Sequence, residues 1–359
     1  MASNNKRLLS LDILRGITVA GMILVNNGGG KLSYITLHHS KWNGLTPCDL
    51  VFPFFLFIVG ISTYLSLSKT GFRMTKPTVV KILKRTILLF LIGLAINWFD
   101  IACGGDMMPF DKIRIWGVLQ RIAICYCAVS FFAITANHRY TLPAIAALLI
   151  IYTVILIIGN GYAYGETNIL AIADRHLFGY AHLYHKSPVD PEGLLSTIPS
   201  IAHTLIGFYC CKMMMQVKDV KDKALAFLFI GSILVIGGYL LSFGLPLNKR
   251  VWSPSYVLMT CGLASLLQGI LMHLIDINHW KSWTKPFLIF GVNPLFLYVM
   301  SEVVAIIFSH TGAKNAIYNG INSIIPDAYA ASAVYALLFV VLCGLVGLLL
   351  HKKEIYIKL

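Results

Sequence analysis

The chain has 359 residues, of which 57% are hydrophobic and 12% charged, and its mean hydropathy is +0.75. A soluble domain carries roughly 25% charged residues, so this composition excludes an ordinary soluble protein and points to a membrane protein. The formal net charge of +14 is read as basic residues gathered on one membrane face rather than as the mark of a nucleic-acid partner.

Apolar stretches of about 20 residues, each long enough to cross a hydrocarbon core, recur from end to end. They predict spans near 10–27, 50–68, 82–98, 115–136, 141–159, 195–214, 224–243, 253–275, 286–308 and 329–350. The fold class is therefore all-α, a polytopic membrane protein of about ten helices forming a single domain over 1–359. The connector 160–194 is too polar to span and is given no domain status of its own. "LDILRGITVAGMILV" carries Asp12 and Arg15 and lacks a small-residue cleavage site, so it reads as a retained span rather than a signal peptide. Lysines and arginines number 18 on the side that holds the N-terminus, nine on the other side and two within spans. That bias predicts both termini in the cytoplasm.

Polar groups at membrane depth are costly, and each is a candidate for function. Asp12 and Arg15 lie three apart on one helix face, suited to an ion pair or to a ligand. "VNNGGGK" ends the first span with Asn26 and Asn27, and its glycines permit close backbone approach. "HHSKWNGLTPCDLVFPFFLFIVG" then sets His38, His39, Trp42 and Asp49 against an apolar run. A histidine there can exchange a proton near neutral pH, or simply sit at the interface. Trp42 reads as an interface anchor, and Asp49 as either the histidine's orienting partner or a helix cap.

Further along, Gln120 and Arg121 lie inside the fourth span, where a guanidinium must meet an anion or carbonyls. Asp190 and Glu192 stand at the start of the sixth span as plausible caps, with His203 inside it. "LPLNKRVWSPSYV" places Asn248, Lys249, Arg250 and Trp252 at the mouth of the eighth span. Asn293-Pro294 predicts a kink in the ninth. The eight cysteines show no CxxC spacing, so neither a zinc site nor a disulfide framework is expected. Residues alone leave a transporter and a membrane enzyme level.

Taken in order, "SLDILRG", "VNNGGG", "HSKWNGLTPCDLVFPFFLFIVGIS", "GVLQRIAICY", "EGLLSTIPSIAHTLIGFY", "NKRVWSPSYVL" and "FGVNPLFLYV" resemble the heparan-α-glucosaminide N-acetyltransferase family of transmembrane acyltransferases. The resemblance runs over about residues 8–350. It implies acetyl transfer from cytosolic acetyl-CoA to a glucosamine amine across the membrane. It also implies that His39, three residues before the WNG, is catalytic, and that Asn26 lies beside the acetyl group. His39 then serves as base or carries the acetyl group covalently, and Asp49, Asn27 and Trp42 support it. Gln120, Arg121, Arg15 and Asn293 are expected to bind acetyl-CoA. Asp190, Glu192, Asn248, Lys249 and Trp252 are expected to bind the amino sugar or glycan terminus. The chain departs from the family at Asn27, where the animal enzyme has an aromatic residue, and by a spacing from Asn26 to His39 about two residues longer. A homodimer in membrane lipid is implied, with no metal and no nucleic acid. The short N-terminus leads to the expectation of a bacterial homologue in the inner membrane with its catalytic loop in the periplasm. An amino-sugar permease and an O-acyltransferase of envelope glycans are the alternatives.

Overall fold

The computed structural model describes residues 8–184 and 187–357. Among them the secondary structure is helical, without strands. The helices are α1 (Leu9–Asn26), α2 (Val51–Ser68), α3 (Lys76–Cys103), α4 (Val118–Thr135), α5 (Thr141–Ile158), α6 (Ile169–Phe178) and α7 (Thr197–Gln216). There follow α8 (Val220–Ser242), α9 (Pro254–Leu271), α10 (Lys285–Val292), α11 (Pro294–His310), α12 (Ala313–Ile324) and α13 (Ala328–Lys352).

Start signals in the sequence set several of these boundaries. Thr75, Asn168, Asp219, Ser253 and Asp327 each accept a backbone N–H in the first turn of α3, α6, α8, α9 and α13. Pro77 and Pro254 fall in the first turns of α3 and α9, where a missing N–H costs nothing.

Among the described residues seven helical segments are long and apolar enough to cross a membrane, and α10 with α11, bent by 87° at Asn293, would make an eighth. The bend falls at the Asn-Pro step where a kink is expected. The remaining expected spans, at 82–98 and 195–214, fall on α3 and α7. Short helices α6 and α12 were not foreseen; both lie in connectors.

Helices meet backbone to backbone where glycines remove the side chain. A Cβ on Gly60 of α2 would overlap the Thr204 carbonyl, and one on Gly207 of α7 the Phe57 carbonyl. Packing this close replaces the hydrophobic drive that lipid cannot supply between spans. Gly16 of α1 and Gly291 of α10 make the same contact against Phe287 and Asp12.

The connectors gather at two ends of the bundle. At one end Gly44 N donates to Leu247 O (2.8 Å), Trp42 Nε1 to Tyr162 O (2.8 Å), and His310 meets Asp100 (2.9 Å). At the other, Phe72 packs on His138 and Lys212 donates to the His138 carbonyl (2.9 Å). The loops expected to share a membrane side therefore touch one another.

Candidate functional site

Thr46 and Asp49 form a capping box ahead of α2: each side chain satisfies the other's backbone N–H. The cap fixes the Asp49 carboxylate, which is fully buried, and its Oδ2 also accepts from Ser40 N (3.0 Å). Its Oδ1 lies 2.8 Å from His39 Nδ1. Cap and orienting partner, alternatives in the sequence, are one and the same role here. An aspartate on Nδ1 selects the tautomer that leaves Nε2 with its lone pair. Tyr256 braces this turn by donating to the Asp49 carbonyl (2.6 Å).

Lys249 reaches the same ring from the loop before α9, with Nζ 2.9 Å from His39 Nδ1, 3.3 Å from Nε2 and 3.6 Å from Asp49 Oδ1. Burial pulls the Lys249 ammonium below the ordinary lysine range, and the Asp49 charge offsets part of that fall. Cys48 Sγ lies 3.1 Å from His39 Nδ1. The imidazole remains 45% exposed, open to a cavity of about 500 Å³.

That cavity is walled by the end of α1, the His39 turn, α3, the start of α4, Tyr184, Pro191, Glu192, Lys249–Arg250 and α11. Asn26, His39, Gln120, Glu192 and Lys249 all line it, so five separated candidates share one space. Gly93 leaves room for Gln120, whose buried Nε2 makes no hydrogen bond to the described residues.

The other candidates make contacts within the fold, although Arg121 Nε and Nη1 and Trp252 Nε1 form no hydrogen bond to the described residues. Asn27 donates to Ile23 O (2.8 Å) within its own helix end, and Trp42 pins the 160s loop. Arg15 binds Asp12 (3.0 Å), Ser62 (3.1 Å) and Gly291 O (3.4 Å), fixing α1 against α2 and α10. Arg121 is fully buried, donates to Gly193 O (2.9 Å) and Ser196 Oγ, and lies over Trp252. Trp252 is itself buried against Phe52, Tyr256 and His203. Asn293 donates to Ile355 O and accepts from Ile357 N (both 2.9 Å), tying the helix break to the segment after α13. Asn248 donates to Asn43 Oδ1 (3.0 Å) and accepts from Val251 N (3.1 Å).

Three cavity residues escape the sequence reading. Arg114 binds Asp190 (2.6 Å) and Glu192 (2.7 Å) at once. The two carboxylates hold its guanidinium above the ordinary arginine range despite burial, and against its own burial Glu192 is held below the usual carboxylate range by Arg114 and Arg121. Glu302 of α11 accepts from Asn26 Nδ2 (3.2 Å), and Tyr298, one turn earlier, lines the same wall. Glu302 had a signal: it is the only charged residue between 286 and 308.

The fold and the site thus define an integral membrane protein that holds an imidazole, an amine and carboxylates around one cavity at one end of its bundle. The model of the family "Heparan-alpha-glucosaminide N-acetyltransferase, catalytic" matches residues 7–245. The heparan-alpha-glucosaminide N-acetyltransferase of Mus musculus is 32% identical over 364 residues, covering 84% of this chain and 54% of the relative. That of Homo sapiens is 31% identical over 363 residues, covering 83% and 53%. The chain spans about half the length of these relatives. It belongs to the heparan-alpha-glucosaminide N-acetyltransferase family.

Proposed function

We propose that this protein is a transmembrane N-acetyltransferase, moving an acetyl group from cytosolic acetyl-CoA to the amine of a glucosamine-type sugar on the far side of the membrane. The observation that carries this is the His39–Asp49 pair, with Lys249 and Asn26, around one cavity. Family membership supports the donor, since the relatives are named as acetyltransferases. Grouping of the His39, 100, 162 and 247 loops at one end supports a site on the side opposite the cationic connectors. Ten spans, both termini in the cytoplasm, an inner-membrane homodimer and a periplasmic site complete the proposal.

An amine attacks a thioester only after losing a proton, and the tetrahedral oxyanion that forms needs a donor. In the proposed reaction His39 Nε2 takes that proton while the ionised Asp49 accepts from Nδ1–H and offsets the imidazolium charge. The amine nitrogen bonds to the acetyl carbon, and its oxygen becomes an oxyanion within reach of the Asn26 amide and the Lys249 ammonium. Collapse breaks the carbon–sulfur bond, and the imidazolium proton goes to the departing CoA thiolate. The second proton of the former ammonium leaves to solvent as the amide forms. Gln120 Nε2 is assigned to a carbonyl of the pantetheine arm.

The test is acetyl transfer from labelled acetyl-CoA to glucosamine by purified protein in detergent. The wild type is expected to form N-acetylglucosamine, and His39→Ala to lose roughly 10²–10⁴-fold of that rate. Equal rates in both would remove His39 from the mechanism. Label on an amine-blocked sugar instead of glucosamine would favour the O-acyltransferase, and no transfer by a folded wild type would favour the permease.

A further inference from the structure

We infer that Glu302 is the binding residue for the acceptor's ammonium group, holding a cationic amino sugar in the cavity beside Asn26 and His39. This rests on the acetyl-transfer reading and adds to it the group that recognises the acceptor. The argument begins with charge matching in the cavity. Asp49 is matched by Lys249 and His39, and Glu192 by Arg114, which Asp190 shares. Glu302 also lines the cavity and forms an ion pair with none of the described residues. Its side-chain hydrogen bonds, from Asn26 Nδ2 (3.2 Å) and from Tyr298, come from neutral groups and bring no positive charge. A carboxylate within a bundle that stays unmatched by a cation is costly, and a cationic ligand relieves the cost.

Placement fits the reaction. Asn26, Glu302 and His39 face one space, so an ammonium held by Glu302 lies beside the amide assigned to the oxyanion and near the imidazole assigned to its proton. Asn26 must present Nδ2 to the carboxylate, because its oxygen would be repelled there. Glu302 thereby also fixes which end of the Asn26 amide meets it. Asp190 and Glu192, the carboxylates expected from sequence to draw the sugar in, are committed to Arg114. Glu302 performs no covalent step; the ammonium proton passes to His39.

The experiment measures equilibrium binding of glucosamine and of glucose, its neutral counterpart, to the purified full chain without acetyl-CoA, wild type beside Glu302→Gln. The glutamine keeps an oxygen that can accept from Asn26 and removes only the charge. Expected is a roughly 10- to 100-fold loss of glucosamine affinity in the variant, with glucose affinity unchanged within about twofold. In turnover the glucosamine KM should rise in parallel while the acetyl-CoA KM stays constant. Equal weakening of both sugars would make Glu302 a structural residue, and an unchanged glucosamine affinity would remove it from the site. A wild type that does not prefer glucosamine to glucose also overturns the inference. Charge-selective binding without acetyl transfer would sink the acetyltransferase reading and leave the Glu302 site standing. Transfer with an unaltered KM in Glu302→Gln would do the reverse.

Discussion

Around the His39 ring, Asp49, Lys249 and Cys48 all stand within hydrogen-bonding reach of Nδ1, at 2.8, 2.9 and 3.1 Å. The nitrogen cannot donate to the carboxylate and accept from the ammonium at once. The carboxylate is fully buried and anchored by the capping box, whereas the lysine also reaches Nε2 at 3.3 Å. Nδ1–H therefore belongs to Asp49, and Lys249 acts on the open side of the ring. Burial lowers the Lys249 ammonium from its ordinary range, so its charge is lost at a lower pH than that of an exposed lysine. The profile of kcat/KM against pH should stand highest while Lys249 is charged. It should then fall on the alkaline side, below pH 10.5, as Lys249 loses its charge. Lys249→Met is expected to lower kcat/KM by roughly 10- to 100-fold and to abolish the alkaline fall. An alkaline limb unchanged in the variant would assign it to another group. His39 and Asp49 were legible because they lie in one short motif next to a span, where both residue types are conspicuous. The contact of Glu302 with Asn26 was not, since the two lie 276 positions apart in the chain.

At the scale of elements, the 187–196 segment carries the wall of the site, and besides Arg121 on Gly193 O and Ser196 Oγ two further polar anchors hold it. One is Arg114 on Asp190 and Glu192; the other is Asp174 on α6, whose Oδ1 accepts from Leu194 N (2.9 Å). Burial pushes the Asp174 carboxyl up to about 6. A folded value above the unfolded one means that the native state binds the extra proton, so stability falls as pH rises through the interval between them. Once Asp174 is ionised the penalty is on the order of 3 kcal/mol. Asp174→Asn keeps the acceptor for Leu194 and removes the charge. It should raise Tm by a few degrees at pH 8, with the gain shrinking as pH falls through 6 toward 4. A gain independent of pH, or a lower Tm, would show that the carboxylate itself anchors the segment. Hydropathy located the long apolar helices. It could not find α6 or α12, which at 10 and 12 residues are too short to stand out as spans. Nor could it foresee the contacts that Arg15, Arg121 and Asn293 make within the fold. A buried polar side chain looks the same in sequence whether a carbonyl of the fold or a substrate satisfies it.

For the whole molecule, the helices run between two ends, and the cavity with His39 lies at only one of them. Connectors at the other end include those around Phe72, His138 and Lys212, where the sequence concentrates lysine and arginine. Under the proposal the anionic donor approaches that basic end, while the amine arrives at the end that carries Glu302. The direct measurement traps labelled acetyl-CoA inside sealed vesicles containing the purified protein and supplies glucosamine only outside. The account predicts N-acetylglucosamine in the outer solution with the wild type and none with His39→Ala. Product that forms only after detergent opens the vesicles would contradict transfer across the membrane.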